Sequence, residues 1–316
     1  MHTSTHPVPE PNSTDGTIDG VEQLLDAVLA HPSGEHHIGA LSDLERPAVA
    51  VFRDRWLDLP IESRLSLVRA MVDDALSNIE HQYNRALLAA LNDPAPDVRI
   101  AVLDGLSEYN APEFLTHLLE HIESDADARV RELMALELGR LAYESAGDDQ
   151  LDEIRDVLFR VFENDHALDV RRRALESLGY LEGDDVQEAI EDGYADFSIE
   201  MRASALHAMG LQASQRWVDV CLEELRSDEP ELRYEALFAL GSIGDLRTVS
   251  DVIDAVEDED AEVTIAAIHA LGEIGGQMAI SRLRQLTQVD NPAIAEAADE
   301  ALQEAELMAN PLRPLL

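Results

Sequence analysis

The chain has 316 residues, with 65 Asp plus Glu against 23 basic residues and a formal charge of −42. All of the cations are arginine, 46% of residues are apolar and only 4% are aromatic, which excludes wholesale disorder and predicts close-packed helices with a Leu, Ala, Val and Ile core. The charge argues against a nucleic-acid backbone or an anionic membrane as partner, because both would be repelled.

Residues 1–20 are rich in Pro, Ser, Thr and Gly and read as a disordered tail. No secretory pattern lies in Met1–Gly20, and no apolar stretch approaches the ~20 residues of a membrane span, so the cytoplasm is the expected compartment. Val21–Ala30 is predicted as a short amphipathic helix, followed by a loop over His31–Gly39. Residues 21–91 are expected to hold N-terminal helices and, in Ile61–Met71 with Tyr83–Leu91, a degenerate capping pair.

From residue 92 to 306 a repeat governs the sequence, and 307–316 reads as a C-terminal tail. An apolar residue followed by Arg recurs at Val98-Arg99, Val130-Arg131, Val170-Arg171, Met201-Arg202 and Leu232-Arg233, and Val263-Thr264 and Ile294-Ala295 continue the register. The intervals are 32, 40, then 31 four times, the long one carrying an insertion near Ala142–Leu151 read as a polar loop or a longer helix. Counting from the Arg, apolar residues at −1, +3, +4 and +7 share one face of a 3.6-residue helix. The small residue at +3 favours close approach of neighbouring helices. Glycine at +8 (Gly139, Gly179, Gly210, Gly241, Gly272) is read as the helix stop. Ala270, one residue before the +7 Leu271, reads as nearer the surface. Each unit then turns into a second helix, as in Gln215–Leu225 and Leu246–Val256, with Cys221 at helical spacing as a buried thiol. No window alternates with period two, so no sheet is predicted. Two short helices cannot bury their apolar faces alone and must stack.

This pattern resembles the HEAT repeat, in the short form found in phycobilin lyases. The resembling residues are Asp93 with Arg99, Asp125 with Arg131, Asp165 with Arg171 and Asp196 with Arg202, each six residues apart. The resemblance implies a ladder of Asp–Arg hydrogen bonds between adjacent repeats. Arg233 continues it with Asp228 five residues before, and the ladder is expected to fade in the last two repeats, which lack the Arg.

Candidate chemistry is sparse. His117-Leu118-Leu119-Glu120-His121 matches a zinc-protease pattern, but Leu115, Leu118, Leu119 and Ile122 occupy the buried columns, so both histidines read as solvated. His31, Glu35, His36 and His37 could bind a metal in a loop, weakly and incidentally. None of the 11 histidines precedes Glu, which removes the di-iron pattern of HEAT-like hydroxylases. No phosphate loop, Ser/His/Asp set or CxxC spacing occurs, so no catalytic residue, metal or cofactor is expected.

The remaining signal is a row pointing away from the interior of the stack. Positions +1 and +5 place Tyr234, Phe238, Ile265, His207 and His269 on one wall, with Tyr180 nearby at +9. They read either as partner anchors on a concave surface or as side chains buried between adjacent helices. The expected fold is an all-α, right-handed α-solenoid (an α-α superhelix) of about seven to eight helix pairs. The expected function is a non-catalytic scaffold or adaptor for a protein partner, with an accessory factor or lyase acting on a cofactor-bearing protein as the alternative.

Overall fold

The computed structural model describes residues 15–32, 36–144 and 147–309. Among them there are seventeen α-helices and no strand. The chain divides into two compact units, one up to Met134 and one from Ala135 onward.

The first unit opens with α1 (Ile18–Ala30), whose Thr17 side chain caps Gly20 N at 3.2 Å. Residues 1–14 of the expected tail lie outside the described residues, and Ile18–Gly20 already belong to α1. Then come α2 (Arg46–Trp56), α3 (Ile61–Ser77), α4 (Asn84–Ala90), α5 (Pro96–Gly105) and α6 (Pro112–His121). Val21, Leu25, Leu41, Phe52, Trp56 and Tyr83 form part of its core. Proline opens α5 and α6, where a missing N–H costs nothing.

Helix α7 (Ala128–Glu144) leads into α8 (Asp148–Asn164), and both have 17 residues. Longer helices, rather than a long loop, therefore absorb most of the 40-residue interval. The second unit continues with α9 (Leu168–Leu178), α10 (Asp184–Tyr194), α11 (Ile199–Gln212), α12 (Val218–Glu224), α13 (Pro230–Ile243), α14 (Val249–Ala255), α15 (Ala261–Ile274), α16 (Gly276–Leu286) and α17 (Pro292–Ala309). Short 3-10 turns at Gln215–Trp217 and Leu246–Thr248 lead into α12 and α14. The helices carrying the repeated dipeptide, α9, α11, α13, α15 and α17, pack on one another in series, and each also packs on the helix preceding it in the chain. The predicted columns are buried: Val170, Ala174, Leu175 and Leu178 in α9, and Leu232, Ala236, Leu237 and Leu240 in α13. This is all-α solenoid packing.

Two expectations need correction. The +8 glycine ends α9 at Gly179 as expected, but it does not stop the other helices: Gly139, Gly210, Gly241 and Gly272 lie inside α7, α11, α13 and α15. Their role is close approach. A Cβ on Gly179, Gly210, Gly241 or Gly272 would stand 3.0, 3.0, 3.1 and 3.0 Å from the Cα of Ala208, Ala239, Ala270 and Ala301, at +6 in the next helix of the series. Ala270 is accordingly an interface residue, only 2% exposed, and not near the surface. The stops of α11, α13 and α15 lie at +11, where Gly244 and Gly275 have φ of 68° and Ala213 is held at φ 47°.

Candidate partner-binding face

The turns before α5, α7, α9, α11 and α15 are built the same way. Asp93, Asp125, Asp165, Asp196 and Asp258 each accept the backbone N–H two residues on through Oδ1, at 2.8 to 2.9 Å. Six residues after the turn begins, Arg99, Arg131 and Arg233 donate from Nη1 to the carbonyls of Asp93, Asp125 and Ser227. The side chain of Thr264 reaches Asp258 O in the equivalent place, at 3.3 Å.

The cross-repeat partners differ from a uniform Asp–Arg ladder. Arg99 Nη2 donates to Asp125 Oδ1 at 2.6 Å, as expected. A further rung precedes it: Arg64 of α3 meets Asp93 Oδ2 at 2.9 Å, and Trp56 Nε1 donates to the same oxygen at 2.7 Å. Arg171 donates to Phe162 O and lies over the Phe162 ring, and Asp196 has no ion pair among the described residues. Arg202 turns to Glu224, which also accepts from Tyr194 OH at 2.6 Å. Arg233 makes a two-pronged contact with Asp258, from Nε at 2.8 Å and Nη2 at 2.7 Å. The array thus continues through Arg233, by way of Asp258 of the next repeat rather than Asp228. Arg64 and Glu224 were not legible as partners because they stand outside the Asp and Arg columns, whereas Asp258 holds the Asp position six residues before Thr264.

Helices α9 to α15 present the row of ring-bearing side chains. His207 of α11 and Phe238 of α13 stack face to face, with centroids 4.5 Å apart and planes 6° from parallel. Phe238 is half-buried and rests over Gly210, so the side-by-side alternative applies to this residue. Burial pulls the His207 imidazolium down, but Glu235 Oε2 at 3.0 Å from Nδ1 outweighs it and raises its pKa. Tyr234 stays 43% exposed and His269 is exposed, with Ile265 half-buried beside it in α15. Tyr180 is also exposed and meets the ring of Tyr143 at 5.3 Å. Tyr143 was missed because it sits in the long interval, where the columns break. Fully exposed Phe197 lies in the turn between α10 and α11, and it was missed because it belongs to no column of a helix face.

The histidine candidates behave as structural groups. His117 and His121 are half-buried rather than solvated, and their rings stack at 4.2 Å. His121 Nδ1 donates to His117 O at 2.9 Å. Burial, with the neighbouring His121, lowers the His117 pKa to about 4. His36 donates to His31 O, His37 pairs with Asp15, and Glu35 lies outside the described residues. Among the described residues no three His, Cys, Asp or Glu gather as a metal site. Cys221 is fully buried, and burial pushes its thiol up to about 12. No described helix is long and apolar enough to cross a membrane.

The family model for HEAT repeats matches residues 54–139 and 218–303, more than half of the chain. Among solved structures, a chain of the Kap95p–RanGDP complex matches at a TM-score of 0.55 and 14% identity, over 92% of this chain and 48% of its own. A chain of the CpcE–CpcF complex of phycocyanin lyase from Nostoc sp. matches at a TM-score of 0.49 and 15% identity, over 71% of this chain and 95% of its own. Escherichia coli YibA matches at 0.46 and 19% identity, over 75% of this chain and 96% of its own. No curated protein matches this chain in sequence.

Proposed function

The chain belongs to the HEAT-repeat family, and from that premise we propose that it is a non-catalytic scaffold holding a protein partner on the face formed by α9, α11, α13 and α15. One observation carries this reading. The stack packs every core column, yet leaves Tyr234 exposed beside Phe238, Ile265 and His269, and Tyr180 exposed beside Tyr143. Large rings left uncovered on a rigid row of helices are the groups that anchor protein interfaces. Rigidity favours such use, because little side-chain and backbone freedom remains to be lost on association. A cavity of about 340 Å³ in the same unit lies beside Arg233 and Asp258, with Leu222, Asp251 and Asp254, and serves the ladder rather than the row.

The test is a photo-crosslinking amino acid placed at Tyr234, or at Asp219 on α12 as a control, in the native host. The expected result is a discrete protein adduct from position 234 that is absent from position 219. Adducts from both positions alike, or none from 234, would refute the proposal.

A further inference from the structure

Charge in the second unit is divided unevenly between its helices. Helices α15 and α17 contain no arginine, and the only arginines of α11 and α13, Arg202 and Arg233, are held by Glu224 and Asp258. Of the arginines elsewhere in the unit, Arg216 pairs with Glu191, Arg247 with Asp245, Arg282 with Glu257 and Arg284 with Glu306, and on α9 Arg172 meets Asp169 and Arg173 meets Glu176. On α13, α15 and α17 the exposed carboxylates therefore have no free arginine on their own helices to answer them.

The register locates that charge. Residues four apart on a helix lie above one another on one side. In α13 this row reads Tyr234 and Phe238, in α15 Ile265, His269 and Glu273, and in α17 Glu296, Glu300 and Glu304. Aromatic and apolar groups therefore pass directly into a strip of carboxylates. Glu273 sits at the junction. It is half-buried, its carboxylate lies over Gly241, and it has no hydrogen bond or ion pair among the described residues. Burial and the charge of Glu304 both raise its pKa. A carboxylate in that position lacks a cation.

We infer that this face takes an arginine- or lysine-rich segment of the partner protein, its cationic groups lying over the exposed Tyr234 and reaching Glu273, Glu300 and Glu304. A guanidinium can stack on a ring and fork onto a carboxylate at once. This inference rests on the reading of the row as a protein-binding face and adds the chemistry of what binds.

The test uses the full chain and a fluorescent, unstructured 15-residue peptide with arginine at every third position, beside its citrulline counterpart, read by anisotropy at the lowest salt that keeps the protein fully helical. Binding of the arginine peptide should weaken at least about tenfold in Glu273→Gln/Glu300→Gln/Glu304→Gln and several-fold in Tyr234→Ala. It should change less than about twofold in Glu188→Gln/Asp219→Asn/Glu223→Gln, which removes the same charge from exposed positions on α10 and α12. The citrulline peptide should bind at least about tenfold more weakly than the arginine peptide. Equal weakening by both triple variants would mean diffuse attraction to an acidic protein and would overturn the inference, as would no binding to the wild type. If position 234 crosslinks a protein while the arginine peptide fails, the scaffold stands and the basic segment is refuted.

Discussion

Replacing Arg233 by Met removes a charge while keeping much of the stem volume. Arg233 is 7% exposed and supplies three hydrogen bonds: two to Asp258, at 2.8 and 2.7 Å, and one to Ser227 O at 2.9 Å. The variant leaves the mostly buried Asp258 carboxylate facing no cation and strips a donor from Ser227. Removing one partner of a buried, hydrogen-bonded pair costs about 3–5 kcal/mol, and Asp258 keeps the Asp260 N–H, so the lower end applies. Arg247→Met is the control. Arg247 also bonds Asp245, but its side chain is 80% exposed to screening solvent, so its loss should cost far less than that of Arg233. The pair has a pH signature as well. Hydrogen bonds from Arg233 hold the Asp258 carboxyl below the usual carboxylate range against the opposing effect of burial. Its stabilising contribution is therefore present above that range and is lost as pH falls through it, so the gap between wild type and Arg233→Met should narrow below about pH 4. Urea denaturation followed by circular dichroism across that range measures the gap. Hydrogen exchange should place the damage in α12 to α15, since repeats contact only their neighbours. Equal losses in the two variants, or a gap that ignores pH, would refute the reasoning.

Phe238→Ala should cost about 2 kcal/mol or more, because it removes a ring packed on His207 and over Gly210, whereas Tyr234→Ala should stay within about 0.5 kcal/mol by the same denaturation assay. Ala213→Gly should stabilise by about 1 kcal/mol, relieving a left-handed residue at φ 47°. Gly272→Ala should destabilise by up to about 2 kcal/mol despite a better helix former, since its Cβ would stand 3.0 Å from the Ala301 backbone. A pH series of melting temperatures tests His117. Its pKa of about 4 means that the unfolded chain takes up a proton that the folded chain refuses as pH falls from about 6.5 to about 4, a loss on the order of 3 kcal/mol. His117→Gln should flatten that part of the curve, and an unchanged slope would exclude His117 as its source.

The helix pairs, the buried columns and the break at the long interval were all legible in the chain, because each follows from spacing within one helix. A side chain at −1, +3, +4 or +7 has its face decided by the 3.6-residue period before any neighbour is in place. Val170, Leu175, Leu232 and Leu240 are buried as that period requires. The same reasoning placed Tyr234 and His269 on the outer row, and both are exposed.

What the period could not decide is which atoms of the next repeat each residue meets. Gly241 and Gly272 look like helix stops along the chain, and only the stacking distance shows that they admit the next helix at Ala270 and Ala301. Arg202 and Arg233 are columns in one dimension, but the offset between neighbouring helices selects Glu224 and Asp258 as their partners. Phe238 shares a helical face with Tyr234, yet the gap above Gly210 half-buries one ring and leaves the other uncovered. Local periodicity orients a side chain relative to its own helix axis, and the packing of one helix against the next decides its contacts, its burial and its charge environment.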